Sequence, residues 1–443
     1  MSLLAGIYAE TPLNTSEIPR ADLDIVNKFR SNPLRWNGQF SPQLVQVLLN
    51  TYATPGSVLF DPFLGSGTVL LEAGLASLPA SGTEINPAAV TLAETYRFIN
   101  VPLELRRVHL REIGTLLQRE FLPALPLFQN PGKGPGQKPD SQDAEAIKSR
   151  LVELLLAVEG RLQYQLLESL IVLLDFYQPN LSTHKVFTVW KKLTGLVLEL
   201  PFSQQPIKVF HADARETPLP DASVDLVLTS PPYVNVFNYH QQYRASMEAL
   251  SWNVLEVAKS EIGSNRKYRG NRFLTVIQFC LDIAQTFDEM VRVCRSDGRL
   301  IFIVGRESMV RGTPFFNGEI VAEVAHRALG FDLILRQERV FLNRFGQSIF
   351  EDILHFSLPS SDPGKLFLAH ARKVAQDVLE ATHSVASDEA KEGIELALTN
   401  IDKVRPSPIF NLSKVCQTSK GVHDAKSAYS PSSSPWGQIE STR

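Results

Sequence analysis

The residues from 41 to 86 constrain the fold most, because helical and strand patterns alternate there around one glycine-rich turn. Helical apolar spacing occurs in SPQLVQVLLNTY (41–52) and TVLLEAGLAS (68–77), and strand patterns occur in SVLFDPF (57–63) and SGTEIN (81–86). A strand, a glycine turn, a helix and a second strand form a βαβ unit. The segment therefore predicts an α/β fold.

The same alternation resumes in the second half of the chain. A helix is predicted around 273–295, and the strand patterns are IKVFHAD (207–213), VDLVLTS (224–230), RLIFIVG (299–305), FDLILRQERVFL (331–342) and FEDILHFS (350–357). The last two look like an antiparallel pair. The count reaches about seven strands, which is enough for one doubly wound, Rossmann-like sheet.

Changes in composition divide the chain into segments. Between the two α/β stretches the apolar period becomes helical, and the polar end of the chain is rich in Ser and Pro, as in SAYSPSSSPWGQ, which is typical of disorder. The predicted segments are an N-terminal extension (1–34), the first half of the α/β domain (35–100), a helical insertion (101–206), the second half (207–360), C-terminal helices (361–404) and a disordered tail (405–443).

Charge and cysteine content exclude several classes of protein. The 443 residues include 44 basic and 47 acidic side chains, a formal charge of -3, so the chain is not a general coat for nucleic acid. Cys280, Cys294 and Cys416 form no CxxC pair and predict neither a disulfide framework nor a zinc site. We find no signal peptide pattern, and the longest apolar stretch (166–177) contains Glu168 and Asp175. We expect a cytoplasmic protein without a membrane span.

The turn FDPFLGSG (60–67) is a candidate ligand loop. Asp61 ends a strand, and Gly65 and Gly67 precede a helix. Glycine lets a ligand approach the backbone closely, and the unpaired N–H groups at the start of a helix can donate to it. It is neither a P-loop nor a complete dinucleotide fingerprint. Glu84 and Asp213 also end strands, so they are placed to accept hydrogen bonds from a ribose and from an adenine amino group. The alternative is a tight turn with solvated carboxylates.

The sequence TSPPY places two prolines directly after a strand. Prolines fix φ and remove backbone donors, so Ser230 and the carbonyl of Pro231 are held as rigid acceptors. Such acceptors suit the two N–H bonds of an exocyclic amine, and Tyr233 offers a flat face for an extruded base. The alternative is a turn that ends the strand and packs its tyrosine.

FDPFLGSG, GTEINP, HADAR and TSPPY, in this order, resemble the S-adenosylmethionine-dependent amino-methyltransferases that modify DNA bases. The resemblance covers residues 35–305 and implies the class I methyltransferase fold. The Ser form of the corner is most often the cytosine-N4 type, found in restriction-modification systems. The implied cofactor-binding residues are Phe40, Ser41, Pro42, Asp61, Pro62, Phe63, Gly65, Ser66, Gly67, Glu84 and Asp213, and the implied catalytic residues are Ser230, Pro231, Pro232 and Tyr233.

A basic segment follows the corner. KSEIGSNRKYRGNR (259–272) holds the candidate phosphate contacts Lys259, Arg266, Lys267, Arg269 and Arg272. A charged surface loop without a partner is the alternative, and Tyr239, His240, Tyr243 and Arg244 are weaker candidates for the pocket. The expected partners are double-stranded DNA and a separately encoded restriction endonuclease. Adenine-N6 methylation, RNA guanine-N2 methylation and a non-catalytic regulator stay open as functions.

Overall fold

Short apolar segments form a seven-stranded sheet in the part of the chain that the structure describes. The structure is a computed structural model, and it describes residues 4–39, 41–122, 144–234, 238–263, 268, 270–343, 345–361 and 364–415. The strands of this sheet are β1 (Leu59–Asp61), β2 (Ala80–Thr83), β3 (Ile207–Phe210), β4 (Val224–Thr229), β5 (Cys294–Gly305), β8 (Asp332–Leu342) and β9 (Ser348–Ser357). A separate two-stranded sheet is made by β6 (Glu307–Val310) and β7 (Thr313–Phe316).

The strand order is β3-β2-β1-β4-β5-β9-β8. The pairs from β3 to β5 are parallel, and β9 pairs antiparallel with both β5 and β8. The predicted doubly wound, Rossmann-like α/β sheet is thereby confirmed. The order reverses between β1 and β4, and in open α/β sheets ligands bind at the carboxyl ends of strands beside such a reversal.

The chain divides into two compact units. Unit 1 comprises Met1–Leu103, Glu199–Gln242 and Leu255–Asn411, and it contains the sheet. Its helices are α1 (Ile7–Glu10), α2 (Arg20–Leu23), α3 (Pro42–Tyr52), α4 (Thr68–Leu75), α5 (Pro87–Glu94), α12 (Phe273–Val293), α13 (Asn317–Leu329), α14 (Phe367–His383) and α15 (Asp388–Thr399). The short α11 (Val254–Val257) and the long α6 (Leu103–Phe121) both begin next to a boundary between the units.

The core of unit 1 lies between α12 and the sheet. Phe287 stacks on Phe302 of β5 at a centroid distance of 4.8 Å, and it meets Phe331 and Phe356 edge to face at 5.0 and 5.4 Å. All four rings are fully buried. Such aromatic pairs contribute about 0.5–1.5 kcal/mol each beyond their buried area, so this cluster fixes α12 on β5 and β9.

Unit 2 is helical. It comprises Glu104–Leu198, Tyr243–Val254 and the residues from Leu412 onward, with α7 (Ala144–Ala157), α8 (Arg161–Leu174), α9 (Thr183–Glu199), α10 (Arg244–Ala249) and α16 (Leu412–Val415). The buried residues of α6 recur at helical spacing, at Leu110, Ile113, Leu117 and Phe121. This unit contains most of the predicted insertion 101–206, but it also takes in residues that the sequence reading assigned to the second half of the α/β domain.

The C-terminal region differs from the prediction of a disordered tail at 405–443. Residues 405–411 belong to unit 1, where Ser407 Oγ donates to Asp282 Oδ2 at 2.7 Å and the Phe410 backbone N–H donates to Asp213 Oδ2 at 2.9 Å. Residues 416–443 lie outside the described residues. Within the described ranges, no helix has both the length and the apolar content needed to cross a membrane.

Candidate active site

Two glycines in the left-handed conformation shape the turn between β1 and α4. Gly65 has φ +53° and Gly67 has φ +90°, values that residues with a Cβ rarely adopt. A Cβ on Gly67 would lie 2.8 Å from Tyr96 Cδ2, and a Cβ on Gly65 would lie 3.1 Å from Trp36 Cδ1. Both positions therefore require glycine, and the Trp36 indole lies directly against the turn.

Glu84, which follows β2, holds this turn in place. Its Oε2 accepts from the Gly65 backbone N–H at 3.0 Å, and its Oε1 accepts from the Asn86 backbone N–H at 2.8 Å. Burial raises the pKa of Glu84 to about 7, although its backbone donors favour the ionised form and lower it. A negative charge on Glu261 adds to the rise. The carboxylate is thus costly to ionise until a positive charge approaches it.

Asp61 connects the glycine turn to the last residue of β4. Its Oδ1 accepts from the Thr229 hydroxyl at 2.6 Å and from the Phe63 backbone N–H at 3.1 Å. The side chain is 1% exposed, and burial raises its pKa to about 7. Thr229 directly precedes Ser230, so this bond ties the predicted cofactor loop to the predicted catalytic corner. Sequence reasoning did not single out Thr229.

The corner itself is compact. Ser230 Oγ and the Tyr233 hydroxyl lie 3.2 Å apart. The Tyr233 ring packs on Gly305 at the end of β5, where an added Cβ would come within 2.7 Å of Tyr233 Cε2. Burial and the charge of Glu351 raise the pKa of the Tyr233 hydroxyl, which stays protonated at neutral pH. Gly305 is therefore required so that the tyrosine can lie flat against β5.

Asn317, the first residue of α13, fixes the corner to the end of β5. Its Oδ1 accepts from the Val234 backbone N–H at 3.2 Å, and its Nδ2 donates to the Gly305 carbonyl at 2.9 Å. Nδ2 also donates to Ser308 Oγ at 2.8 Å. Asn317 is fully buried, so these bonds hold the corner against a rigid strand end.

A cleft of about 850 Å³, open to solvent, lies at the carboxyl ends of β1, β2 and β4. The predicted site residues that line it are Pro62, Phe63, Gly65, Ser66, Glu84, Asp213, Ser230 and Pro232. The glycine turn and the diproline corner therefore border one cleft, as the sequence reading requires.

The remaining predicted residues take other positions. Asp61, Gly67, Pro231 and Tyr233 support the wall of the cleft but are not among the residues that line it. Pro42 is buried at the start of α3, and the buried Ser41 hydroxyl has no hydrogen-bond partner among the described residues. Phe40 lies outside the described residues.

Asp213 differs from its predicted role. Its Oδ1 accepts from the backbone N–H and from Nε of Arg215, at 3.0 and 2.8 Å. Its Oδ2 accepts from Arg215 Nη2 at 2.7 Å and from the Phe410 backbone N–H at 2.9 Å. A carboxylate has about four lone-pair positions, and these four donors fill them. The geometry gives Asp213 a structural role and leaves no acceptor for the adenine amino group predicted there.

Two aromatic residues that sequence reasoning missed or ranked low also line the cleft. The rings of Trp36 and Tyr239 are parallel within 11°, with centroids 6.3 Å apart. The Tyr239 carbonyl accepts from Asn86 Nδ2 at 3.2 Å. Gln242 bonds the same region to the Trp36 segment, since its Oε1 accepts from the Asn37 N–H at 3.0 Å. The residues predicted from this part of the chain, Phe40, Ser41 and Pro42, lie after Trp36 in the sequence.

Glu261 is a further residue of the cleft that the sequence did not predict. It lines the cleft although it is only 7% exposed. Its Oε1 accepts from the His240 backbone N–H at 2.8 Å, and its Oε2 lies 3.0 Å from His240 Nδ1. In the sequence it stands alone within a basic segment, where it reads as an ordinary surface acid.

The predicted DNA contacts are only partly described. Lys259 is exposed and pairs with Glu256 in the same turn, and Arg272 is exposed immediately before α12. Arg266, Lys267 and Arg269 lie outside the described residues. Tyr243 and Arg244 belong to unit 2. The DNA-binding assignment of this segment stays a prediction.

The charge of the cleft is one-sided. Its described lining residues include the carboxylates of Glu84, Asp213 and Glu261 and no lysine, arginine or histidine. Arg215 pairs with Asp213, and Glu261 is bonded to His240, so Glu84 and Glu261 are the lining acids without an arginine or lysine partner among the described residues. This arrangement is suited to a ligand that carries positive charge.

Comparison with known proteins agrees with this site. Residues 20–95, which contain the glycine turn and Glu84, match the model of a family described as DNA methylase. The Type II methyltransferase M.MjaII of Methanocaldococcus jannaschii is 36% identical over 59 residues. That match covers 13% of this chain and 11% of the relative, so the two are compared over a small part of either.

Solved structures resemble the chain at low identity. A SAM-dependent methyltransferase from Methanosarcina mazei is 12% identical, covers 71% of this chain and 98% of its own, and has a TM-score of 0.31. The rRNA methyltransferase aviRa from Streptomyces viridochromogenes is 14% identical, covers 79% and 91%, and has a TM-score of 0.28. These scores carry no argument about substrate. The family match is a likeness to DNA methylases over residues 20–95, the part of the chain that holds the glycine turn.

Proposed function

We propose that the protein is a site-specific DNA methyltransferase that moves a methyl group from S-adenosylmethionine to the exocyclic amine of an extruded base, with cytosine N4 as the first candidate. The observation that carries this proposal is that Ser230 and Pro232 line the same cleft as Gly65 and Glu84. A donor held at the glycine turn and an amine held at the corner would then share one space. In-line placement is the main requirement for transfer between two bound groups.

The residues of the cleft fit this cofactor. The Glu84 carboxylate faces a cleft free of basic lining residues within the described chain, which suits a ligand with a sulfonium and an ammonium group. Backbone N–H groups of Gly65 and Asn86 leave the Glu84 carboxylate further acceptor capacity for ribose hydroxyls. The Ser41 hydroxyl at the start of α3, which has no hydrogen-bond partner among the described residues, would donate to the carboxylate of the methionine part.

The corner residues would prepare the acceptor amine. S-adenosylmethionine, when bound, supplies a methyl group on a positively charged sulfur. Ser230 Oγ and the Pro231 carbonyl would accept the two amine N–H bonds, which favours a pyramidal nitrogen with its lone pair exposed. The Tyr233 hydroxyl orients Ser230 Oγ from 3.2 Å. Tyr239, which lines the cleft, would offer the base an aromatic face for stacking, and the Tyr233 ring, which packs on Gly305, would support the corner from behind.

The cysteines favour an amine over a ring carbon as acceptor. Methylation at carbon 5 of cytosine requires an enzyme thiolate as nucleophile. Cys280 and Cys294 are buried in the core, and burial raises the pKa of both thiols. Among the cysteines that the structure describes, both therefore lack the reactivity of a nucleophile.

A restriction-modification role follows from the resemblance of the SPPY corner to cytosine-N4 methylases, and it implies a separately encoded endonuclease and a cytoplasmic location. Adenine N6 is the second candidate, because its amine would make the same contacts at the corner. Lys259, Arg272 and the intervening basic segment are the proposed phosphate contacts.

The test is single-molecule sequencing of DNA from cells that express the protein, with a Ser230→Ala strain as the matched control. We expect N4-methylcytosine at one short sequence context in the first strain and none in the second. Detection of N6-methyladenine instead would support amino-methyltransferase activity and assign it to adenine. DNA without any modified amine in both strains, at equal protein levels, would refute the proposal.

A further inference from the structure

The methyl donor and its product differ in charge, and the cleft contains acidic and aromatic residues that respond to such a difference. S-adenosylmethionine carries one net positive charge, whereas its demethylated product, S-adenosylhomocysteine, carries none, because the sulfonium becomes a neutral thioether. The methyl group leaves without the C–S bonding electrons, which stay on sulfur. The positive charge passes to the amine and departs as a proton. An enzyme can therefore distinguish donor from product by charge alone.

Four residues of the cleft favour the charged form. Glu84 and Glu261 face the same space closely enough that the charge of Glu261 raises the pKa of Glu84. Tyr239 lines the same cleft as the two acids, and burial, with smaller contributions from the charges of Tyr233, Glu84 and Glu261, raises the pKa of its hydroxyl. Trp36 completes the set as the parallel ring at 6.3 Å from Tyr239.

The aromatic rings contribute in the same direction as the acids. The face of an indole or phenol ring carries negative potential and attracts a cation within about 6 Å, most strongly when water is excluded. Trp36 is 7% exposed and lies against Gly65 of the glycine turn. Its ring is therefore desolvated and adjacent to the backbone that would hold the donor.

The bonds around Tyr239 hold its ring in this position. His240, the next residue, is bonded to Glu261 through its backbone N–H and through Nδ1. The Tyr239 carbonyl is bonded to Asn86, two residues beyond Glu84. Glu261 thus has two functions: it contributes charge to the cleft and it positions the aromatic residue.

We propose that Trp36, Tyr239, Glu84 and Glu261 make this cleft select the sulfonium cofactor over its neutral thioether product. The inference rests on S-adenosylmethionine as the cofactor and does not depend on which base is methylated. It predicts weak inhibition by the product, since the cleft loses its attraction for the ligand when the positive charge leaves.

Isothermal titration calorimetry on the full chain without DNA tests this. The probes are S-adenosylmethionine, S-adenosylhomocysteine and sinefungin, in which a charged amine replaces the sulfonium. We expect the two charged ligands to bind about tenfold more tightly than the neutral one, a difference of about 1.4 kcal/mol. Tyr239→Leu and Glu261→Gln should each reduce that ratio to about twofold by weakening the charged ligands alone.

Two controls separate charge recognition from folding. Tyr239→Phe keeps the ring and should keep the tenfold ratio, and thermal melting should show that all variants are folded. Equal or tighter binding of the neutral product by the wild type would overturn the proposal. So would a uniform loss for all three ligands in Tyr239→Leu and Glu261→Gln, or no binding of any of them. Absence of DNA methylation with an intact ratio would instead count against the proposed DNA substrate.

Discussion

The adjacent strands β2 and β3 are each followed by a carboxylate that lines the cleft, but the two carboxylates have different partners. Glu84 accepts from the backbone N–H groups of Gly65 and Asn86 and forms no ion pair within the described residues. Asp213 is bonded to Arg215, two residues further on, and to the segment at Phe410. The first residue is therefore available to a ligand, whereas the second stabilises the protein.

The difference shows what an acidic strand end does and does not indicate. Both positions fit the pattern of a carboxylate at the edge of a doubly wound sheet. The following residues decide between the two outcomes: Glu84 precedes Ile85 and Asn86, whereas Asp213 is followed by an arginine that folds back on it. An arginine two residues after such an acid predicts a buried ion pair.

The largest effect is expected at the end of a third strand, β4, where a substitution should change the rate of methyl transfer and not the binding of the cofactor. Ser230→Ala should lower the rate of methyl transfer about 10²-fold, the scale of removing one transition-state hydrogen-bond partner. The cofactor dissociation constant should change less than twofold. Single-turnover kinetics and calorimetry measure the two quantities. Parallel losses of rate and cofactor affinity would contradict the assigned role.

Asp213→Asn should affect stability more than binding. The substitution breaks a buried ion pair, which costs about 3 kcal/mol of unfolding free energy, while the cofactor dissociation constant should change less than threefold. Denaturant unfolding and calorimetry provide the comparison. Asp221→Asn, which removes an exposed partner of Arg292, is the control and should cost under about 1 kcal/mol. A large loss of cofactor affinity in a stable Asp213→Asn protein would restore the adenine contact.

Glu84→Ala should give the reverse pattern. The cofactor dissociation constant should rise about tenfold, the cost of one charged hydrogen bond, about 1.5 kcal/mol. Glu216→Ala, an exposed acid near β3, should leave it unchanged. If Glu84→Ala and Glu216→Ala both bind the cofactor as tightly as the wild type does, Glu84 does not contact the ligand, and the contrast with Asp213 is wrong.

The pH dependence should show the smallest effect. Asp61 and Glu84 have pKa values raised to about 7 by burial, with Glu261 and Asp213 as the other acids of the cleft and Arg215 paired to Asp213. Their ionised forms attract a cation, so cofactor affinity should rise a few-fold as protons leave between pH 6 and 8. Calorimetry at three pH values measures the slope.

Asp61→Asn provides the control for that slope, because the amide cannot titrate but its oxygen can still accept from Thr229. The slope should become shallower. The variant should also melt a few degrees higher than the wild type at pH 8, since a group with a raised folded-state pKa loses stability as pH rises from its unfolded value toward 7. An unchanged slope would show that Asp61 does not contribute to the pH dependence of cofactor affinity.

Much of the fold could be predicted from local sequence. The strand patterns around Asp61 and Ser230, together with the glycine turn at 65–67, depend on period and on residues with special backbone preferences, and these are visible in a short window. The small β6–β7 sheet could not be predicted in this way, because each of its strands has only four residues.

The parts of the site that were missed depend on contacts between distant residues. Glu261 accepts from the His240 backbone N–H, and the Tyr239 carbonyl accepts from Asn86 Nδ2. These bonds hold Glu261 and Tyr239 at the cleft. Trp36 reaches it because Gly65 leaves room for the indole. The bond between Asp213 and Phe410 joins residues 197 positions apart. A local pattern therefore did not show that this carboxylate already has partners within the protein. No local pattern reports such pairings.

The most direct test of the central claim uses purified protein, duplex DNA of random sequence and S-adenosylmethionine with an isotopically labelled methyl group. Nucleosides from the digested DNA are then separated by mass spectrometry, with Ser230→Ala in parallel. The shared cleft predicts label on the exocyclic amine of a base, which the proposed function assigns to cytosine, and this label should be lost in Ser230→Ala at unchanged cofactor affinity. Label on carbon 5, or unlabelled DNA from a protein that binds the cofactor, would contradict it.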